Sequence, residues 1–143
     1  YILSTLVSYL ASVVIVTAVA IYGLRLPTLI TGNTALVKEY YYDNAVSSFI
    51  LDIFLIGAYL WVSLAVSRRL DPKASLLIRC LQIALVSFII TSIFMIIIPH
   101  TTSASSFFNR WFKAVGHKAA VYDAILITLT YLTMGRVNDL LRT

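Results

Sequence analysis

Residues 1–24 contain no charged side chain. An α-helix rises 1.5 Å per residue, so about 20 apolar residues cross the roughly 30 Å hydrocarbon layer of a bilayer. The opening run is therefore expected to stay in a membrane as an anchor. No basic segment followed by a small-residue cleavage site marks it as a removable signal peptide.

The composition of the rest of the chain agrees with a membrane location. Of the 143 residues, 60% are hydrophobic and only 12% are charged. A soluble domain is about 45–50% apolar and about 25% charged, and one of this size could not bury so much apolar surface. Residues 1–143 are therefore expected to form a single transmembrane domain.

Four apolar segments predict four transmembrane helices, at about residues 2–24, 45–66, 76–98 and 119–134. Their β-branched residues would favour strands in water, but these runs lack alternation and exceed the roughly 10 residues of a barrel strand. Pro99 is expected to close the third helix, and Gly135 is a C-cap candidate for the fourth. The predicted fold is an all-α, four-helix membrane bundle.

The basic residues suggest an orientation and a partner. Four spans place both termini on the side of the short connection 67–75, SRRLDPKAS, whose dense positive charge favours the cytoplasm. Lys and Arg lie at the ends of the apolar runs rather than along one face. The net charge of +5 therefore indicates contact with anionic lipid headgroups, not with nucleic acid.

An amphipathic helix is predicted before the fourth span, at about residues 106–117. Helical spacing puts Phe108, Trp111 and Phe112 on one face, with Arg110 and Lys113 on another. Either Ser105 or Ser106 can cap its N-terminus. Such a helix is expected to lie at the headgroup level, its rings in the acyl boundary and its cations toward phosphates. Docking on a partner protein is the alternative.

A second aromatic cluster precedes the second span on the same side of the membrane. It consists of Tyr40, Tyr41 and Tyr42 in VKEYYYDNAV. Tyrosine suits a boundary where the ring is in an apolar layer and the hydroxyl is wet. We therefore expect these rings to belong to the membrane interface.

Three ionisable residues inside the apolar runs are the sharpest functional signal. Asp52 lies in the second span, Asp123 near the start of the fourth, and Arg79 near the start of the third. An ionisable group in a span costs at least about 2.5 kcal/mol, so each is a candidate for function. The aspartates could pair with Arg79, Lys118 or tyrosine hydroxyls, serve a channel or proton-linked transporter, or share a proton as a dyad.

Motifs of common enzymes are absent from the sequence. Cys80 is the only cysteine, and the two histidines fall at no metal-ligand spacing. No phosphate-binding glycine loop, nucleophile elbow or His-Glu motif occurs. The chain is therefore predicted not to be an enzyme and to need no cofactor or metal.

Small residues at four-residue spacing predict close helix packing in the membrane, where the hydrophobic effect does not drive helices together. One such stripe lies in the first span and one enters the fourth span. Their members are Ser4, Ser8 and Ser12, and Gly116, Ala120 and Ala124.

Residues 107–132, FFNRWFKAVGHKAAVYDAILITLTYL, carry a family resemblance. An aromatic-basic segment, a Val-Gly pair and an aromatic-Asp pair precede the last span. In this the chain resembles small multi-span membrane proteins of large nucleocytoplasmic DNA viruses. The resemblance implies a component of the internal virion membrane with a structural or assembly role, and it implies no catalytic residue.

The predicted function is therefore non-enzymatic. The chain is expected to anchor, shape or link a membrane together with other protein subunits of a larger assembly. The alternative is a small channel or proton-linked transporter that uses Asp52 and Asp123.

Overall fold

The computed structural model describes residues 2–142, except the side chain of Arg142. All of the regular structure in this range is helical, which confirms the predicted all-α class. The α-helices are α1 (Ile2–Val16), α2 (Leu26–Thr31), α3 (Thr34–Lys38), α4 (Ala45–Leu70), α5 (Leu76–Thr101), α6 (Phe107–Val115) and α7 (His117–Arg142). Two π-helical stretches, Thr17–Gly23 and Glu39–Asp43, continue α1 and α3.

Three helices in the described range are long and apolar enough to cross a membrane. They are Ile2–Gly23, Ala45–Leu70 and Leu76–Thr101, and they are consistent with a membrane location. Most of their surface faces outward, since at most 28% of the most apolar stretch of each is buried inside the protein. Lipid tails are the solvent that such a surface matches.

The third helix does not end where the sequence predicts. Pro99 lies inside α5, which continues to Thr101. Proline in the last turn removes only one backbone hydrogen bond. The side-chain amide of Asn109 donates to the backbone carbonyls of Pro99 at 3.3 Å and of Thr102 at 3.2 Å, and so satisfies two carbonyl groups at the end of the helix.

The last helix is also longer than predicted. Gly135 does not end it, because α7 runs on to Arg142. One glycine in a helix interior costs about 1 kcal/mol, which the packing of the neighbouring turns can outweigh. The 26 residues of α7 pack between α1 on one side and α5 on the other.

The remaining long helix, α4, packs mainly against α5 and touches α1 and α7 little. Its approach to α1 occurs at Tyr9, whose hydroxyl donates to the carbonyl of Ile53. Gly57 makes room there, since a Cβ atom at that position would lie 3.1 Å from the Tyr9 hydroxyl oxygen. Elsewhere α4 stands apart from α1 and α7, which leaves space inside the bundle.

The predicted small-residue stripes lie partly in helix contacts. Ser8, Ser12 and Ala120 are fully buried. The Ser8 hydroxyl donates to the side-chain oxygen of Asn138 and so links α1 to α7. Gly116 and Ala124 are half-buried and Ser4 is exposed.

Candidate functional site

The two aspartates that were predicted to lie in membrane spans, Asp52 and Asp123, line the same cavity, which we call the aspartyl cavity. It has a volume of about 300 Å³ and lies between α4, α5, α6, α7 and the π-helical stretch 39–43. Asp52 comes from α4 and is 6% exposed, whereas Asp123 comes from α7 and is half-buried. The structure therefore brings together two carboxylates that are 71 residues apart in the sequence (123 − 52).

Asp52 is bonded by a tyrosine hydroxyl. The Tyr40 hydroxyl donates to an Asp52 carboxylate oxygen at 2.6 Å. Burial raises the pKa of the Tyr40 hydroxyl, and the nearby Asp52 charge raises it further. Tyr40 therefore keeps its proton at neutral pH and acts as the donor.

Asp123 is bonded through a chain of two hydroxyl groups. The Thr91 hydroxyl donates to an Asp123 oxygen at 2.6 Å and lies 2.8 Å from the Tyr59 hydroxyl. Because a hydroxyl has one proton, Thr91 must accept from Tyr59 when it donates to Asp123. This chain connects α4, α5 and α7 across the base of the cavity.

A π-helical stretch explains how consecutive tyrosines reach the site. The backbone N–H of Asn44 donates to the backbone carbonyl of Glu39 at 3.2 Å, an i→i+5 hydrogen bond that widens the turn between them. Tyr40 and Tyr41 both point into the protein, and Tyr42 is 48% exposed. Of the three rings predicted to lie at the membrane interface, two therefore line the aspartyl cavity.

Tyr41 also contacts α7 and the π-helical stretch Thr17–Gly23 that continues α1. Its hydroxyl lies 2.7 Å from the hydroxyl of Tyr122, the residue that precedes Asp123. Its backbone carbonyl accepts a hydrogen bond from the hydroxyl of Tyr22. These contacts hold the stretch Glu39–Asp43 against both of these elements.

Helix α6 closes one side of the cavity with aromatic rings. As predicted, it begins after a serine cap, and the Ser106 hydroxyl accepts a hydrogen bond from the backbone N–H of Asn109 at 3.3 Å. Phe107 stacks on Tyr40 with ring centres 4.9 Å apart and on Trp111 at 5.8 Å. Nine cavity residues are aromatic: Tyr40, Tyr41, Tyr59, Phe94, Phe107, Phe108, Trp111, Phe112 and Tyr122.

The apolar face of α6 therefore packs on protein. Trp111 is 8% exposed and Phe112 is 7% exposed, while Phe108 is half-buried. Lys113 on the opposite face is exposed. The depth of these residues relative to lipid headgroups stays a prediction.

Arg110 fixes α6 to the π-helical stretch. Its two terminal nitrogens donate to the two carboxylate oxygens of Glu39 at 2.7 and 2.6 Å. The hydrogen bond from Arg110 lowers the pKa of the Glu39 carboxyl below its usual range. Planar two-point pairing of this kind fixes orientation as well as distance.

Arg79 lies away from the aspartates. It is 9% exposed and donates to the Ser67 hydroxyl at 3.0 Å and the Pro72 carbonyl at 3.3 Å. These partners belong to the end of α4 and the connection to α5. Of the three predicted intramembrane ionisable residues, two therefore share one site and the third stabilises a turn.

The two carboxyl groups of the aspartyl cavity have no basic partner among the described residues. Arg110 with Glu39 forms the one ion pair among the described residues, so no described basic side chain pairs with Asp52 or Asp123. No group of three metal-ligating side chains occurs within residues 2–142 either. The arrangement places two carboxyl groups, which can bind a proton or a cation, in one aromatic enclosure.

Tyrosine hydroxyls were among the predicted partners of the aspartates, but the sequence did not identify which hydroxyl groups they would be. Thr91 sits in an apolar run where threonine commonly bonds the carbonyl four residues earlier in its own helix. Tyr40 stood out only as one of three consecutive tyrosines, and Tyr59 only as a residue of an apolar segment. Helix spacing places each on a face but does not specify which neighbouring helix that face meets.

Comparison with known proteins finds no match, since neither a protein-family model nor a curated protein nor a solved structure is similar to this chain.

Proposed function

We propose that the chain is a non-enzymatic, multi-pass membrane protein with a structural or assembly role in a larger membrane-associated complex. The observation that carries this proposal is that the two carboxyl groups accept hydrogen bonds from other elements of the bundle. Asp52 accepts from Tyr40 and Asp123 accepts from Thr91, so each joins separate elements of the bundle. Buried charged groups bonded in this way favour one arrangement of the helices over others.

We propose α7 as a fourth span. At 1.5 Å per residue its 26 residues extend about 39 Å, more than the hydrocarbon thickness. It packs against α1 and α5, and two of its polar side chains, Asp123 and Thr130, are half-buried and fully buried within the protein. Four spans then put both termini on one side, which the basic connection 67–75 assigns to the cytoplasm. Helix α6 lies at the headgroup level on the other side.

Labelling of single cysteines tests this topology. In a Cys80→Ser background, cysteine is placed at Lys73, Ala104 or Leu141 and treated with a membrane-impermeant maleimide in sealed vesicles. Positions 73 and 141 should react from the same side and position 104 from the opposite side. Reaction of 104 and 141 from one side would show that α7 does not cross.

The proposed partners are anionic lipids and other subunits. The resemblance of residues 107–132 to small virion membrane proteins supports the internal membrane of a large DNA virus as the site of assembly. Mass measurement after gentle extraction from the native membrane tests this role. A complex with a second subunit in fixed ratio is expected, and a monomer that carries no other protein contradicts it.

Transport is the second candidate function. The observation that favours it is that Asp52 and Asp123 line one cavity and form no ion pair with a described basic residue. Ionisable groups of this kind mark proton and ion paths in other membrane proteins. Proton or cation flux into vesicles containing the purified chain, lost in Asp52→Asn and Asp123→Asn, would replace the assembly role with this one.

A further inference from the structure

The aspartyl cavity has chemical properties that point to a ligand class. Two carboxylates face it, and its lining contains no Lys, Arg or His side chain. Arg110, on the helix that closes it, has both terminal nitrogens bonded to Glu39. The missing charge is therefore a positive one.

The walls select the kind of cation. Nine of the lining residues are aromatic, and the negative face of an aromatic ring attracts a cation that has shed its water. A metal ion or a primary ammonium needs several oxygen ligands, but one oxygen of each carboxyl group already accepts from Tyr40 or Thr91, and no group of three metal-ligating side chains occurs within residues 2–142. The rest of the lining is leucine and isoleucine. A quaternary ammonium, which has no N–H to donate, fits such a lining best.

The volume and position of the cavity are also suitable. About 300 Å³ lies at the lower end of the range of small-ligand pockets, roughly 300–1,000 Å³. Asp52 is seven residues after the start of α4 at Ala45, so it lies about 10 Å along the helix axis from that end. Leu51 on α4 and Phe94 on α5 line the cavity and are also exposed on the outer surface. The cavity therefore reaches the outer surface of the bundle beside these two residues.

We infer that the aspartyl cavity binds a quaternary ammonium group. Asp52 and Asp123 supply the carboxyl groups, and the nine aromatic side chains supply most of the lining. Two sources have this chemistry, the choline headgroup of a phospholipid and a free quaternary ammonium ion. The inference goes beyond the assembly role and does not rest on it, because the labelling and mass measurements above are independent of whether the cavity is filled.

Tryptophan fluorescence can report binding. The sequence contains two tryptophans, and Trp61 is 75% exposed whereas Trp111 lines the cavity. In a Trp61→Phe background, Trp111 is the only reporter. The full chain is titrated in maltoside micelles, which contain no ammonium group, with choline and with 3,3-dimethylbutan-1-ol, its neutral analogue of the same shape. Saturable change with choline and none with the alcohol is expected.

Aspartate variants locate the charge requirement. Asp52→Asn and Asp123→Asn should each weaken choline binding about tenfold or more, because a desolvated charge partner is lost. Asp139→Asn is the matched control, since Asp139 is exposed and lines a different cleft. Its affinity should equal that of the parent chain. Because the comparison of choline with its neutral analogue needs no aspartate variant, it stays decisive where a variant does not fold.

Nanodiscs distinguish the two sources. If a lipid headgroup is the ligand, the response to added choline is lost in phosphatidylcholine discs and kept in phosphatidylglycerol discs. A response that is equal in both assigns the site to a free cation. The inference is overturned if choline gives no saturable response in micelles, if the neutral alcohol matches it, or if both folded Asn variants at the cavity bind as the parent does.

Discussion

Replacement of Thr91 by valine tests whether the intramembrane aspartates join the helices. Thr91 is fully buried, and its hydroxyl both accepts from Tyr59 at 2.8 Å and donates to Asp123 at 2.6 Å. Valine has nearly the same shape but no hydroxyl. Thr91→Val therefore removes two interhelical hydrogen bonds. It leaves one carboxylate oxygen of Asp123 and the hydroxyl of Tyr59 without this partner.

The magnitude follows from the kinds of bond that are lost. A hydrogen bond to a charged group contributes about 1.5–3 kcal/mol, and a neutral interhelical bond in a membrane about 0.6 kcal/mol. Side chains also find partners in the unfolded chain within the membrane, which reduces the sum. We expect Thr91→Val to lower the free energy of unfolding by about 2 kcal/mol, roughly 30-fold in the equilibrium constant.

Thr130→Val is the matched control. Thr130 is as fully buried as Thr91, but its hydroxyl donates at 2.9 Å to the carbonyl of Leu126 in its own helix. Because that carbonyl also lies in the helical ladder, we expect a loss below about 0.5 kcal/mol. Reversible unfolding in mixed micelles with increasing dodecyl sulfate, followed by circular dichroism, measures both. If the two variants differ by less than about 0.5 kcal/mol, the hydroxyl chain does not join the helices.

Three further predictions concern other joints of the structure. Gly116 has φ of 56° and ψ of −130° between α6 and α7, so Gly116→Ala should destabilise the chain by about 1–3 kcal/mol in the same assay. Gly57→Ala brings a methyl carbon within 3.1 Å of the Tyr9 hydroxyl oxygen, and its destabilising effect should shrink in a Tyr9→Phe background. Because Arg110 lowers the folded-state pKa of Glu39, their pairing contributes at neutral pH and is lost as pH falls through that lowered pKa. The rate of proteolytic cleavage between α5 and α6 should therefore rise as the pH falls for the unsubstituted chain but not for Glu39→Gln.

Length and apolarity were enough to predict the all-helical class and three helices of membrane length, but not the ends of the helices or the short helices α2 and α3. The uncharged stretches are too long for any element except a membrane helix, which is why the helical class follows from the sequence. The end of α5 beyond Pro99 depends on Asn109, which comes from another helix to satisfy the carbonyls there. Likewise, α7 continues past Gly135. Tertiary contacts of this kind leave no pattern near the residues that they affect.

The sequence predicted only part of the candidate site, because the rest depends on tertiary contacts. Asp52 and Asp123 stood out because a carboxylate in an apolar run is costly wherever the helix faces. Their partners did not stand out, because Tyr40 reaches Asp52 only through the π-helical turn at Glu39–Asp43. An i→i+5 turn has no sequence signature among those used to place helix ends.

The separation of charges along the bundle explains why the aspartates have hydroxyl partners rather than a basic one. Asp52 and Ser67 lie on one continuous helix, 15 residues apart, which at 1.5 Å per residue is about 22 Å. Arg79 is bonded to Ser67 at 3.0 Å, so its guanidinium group is held at the far end of α4. An arginine side chain is too short to reach from Ser67 to Asp52 over that distance. Since no described basic side chain pairs with either aspartate, we expect a proton, an ion or a ligand to balance the carboxyl groups of the aspartyl cavity, and identifying this occupant is the decisive measurement for this protein.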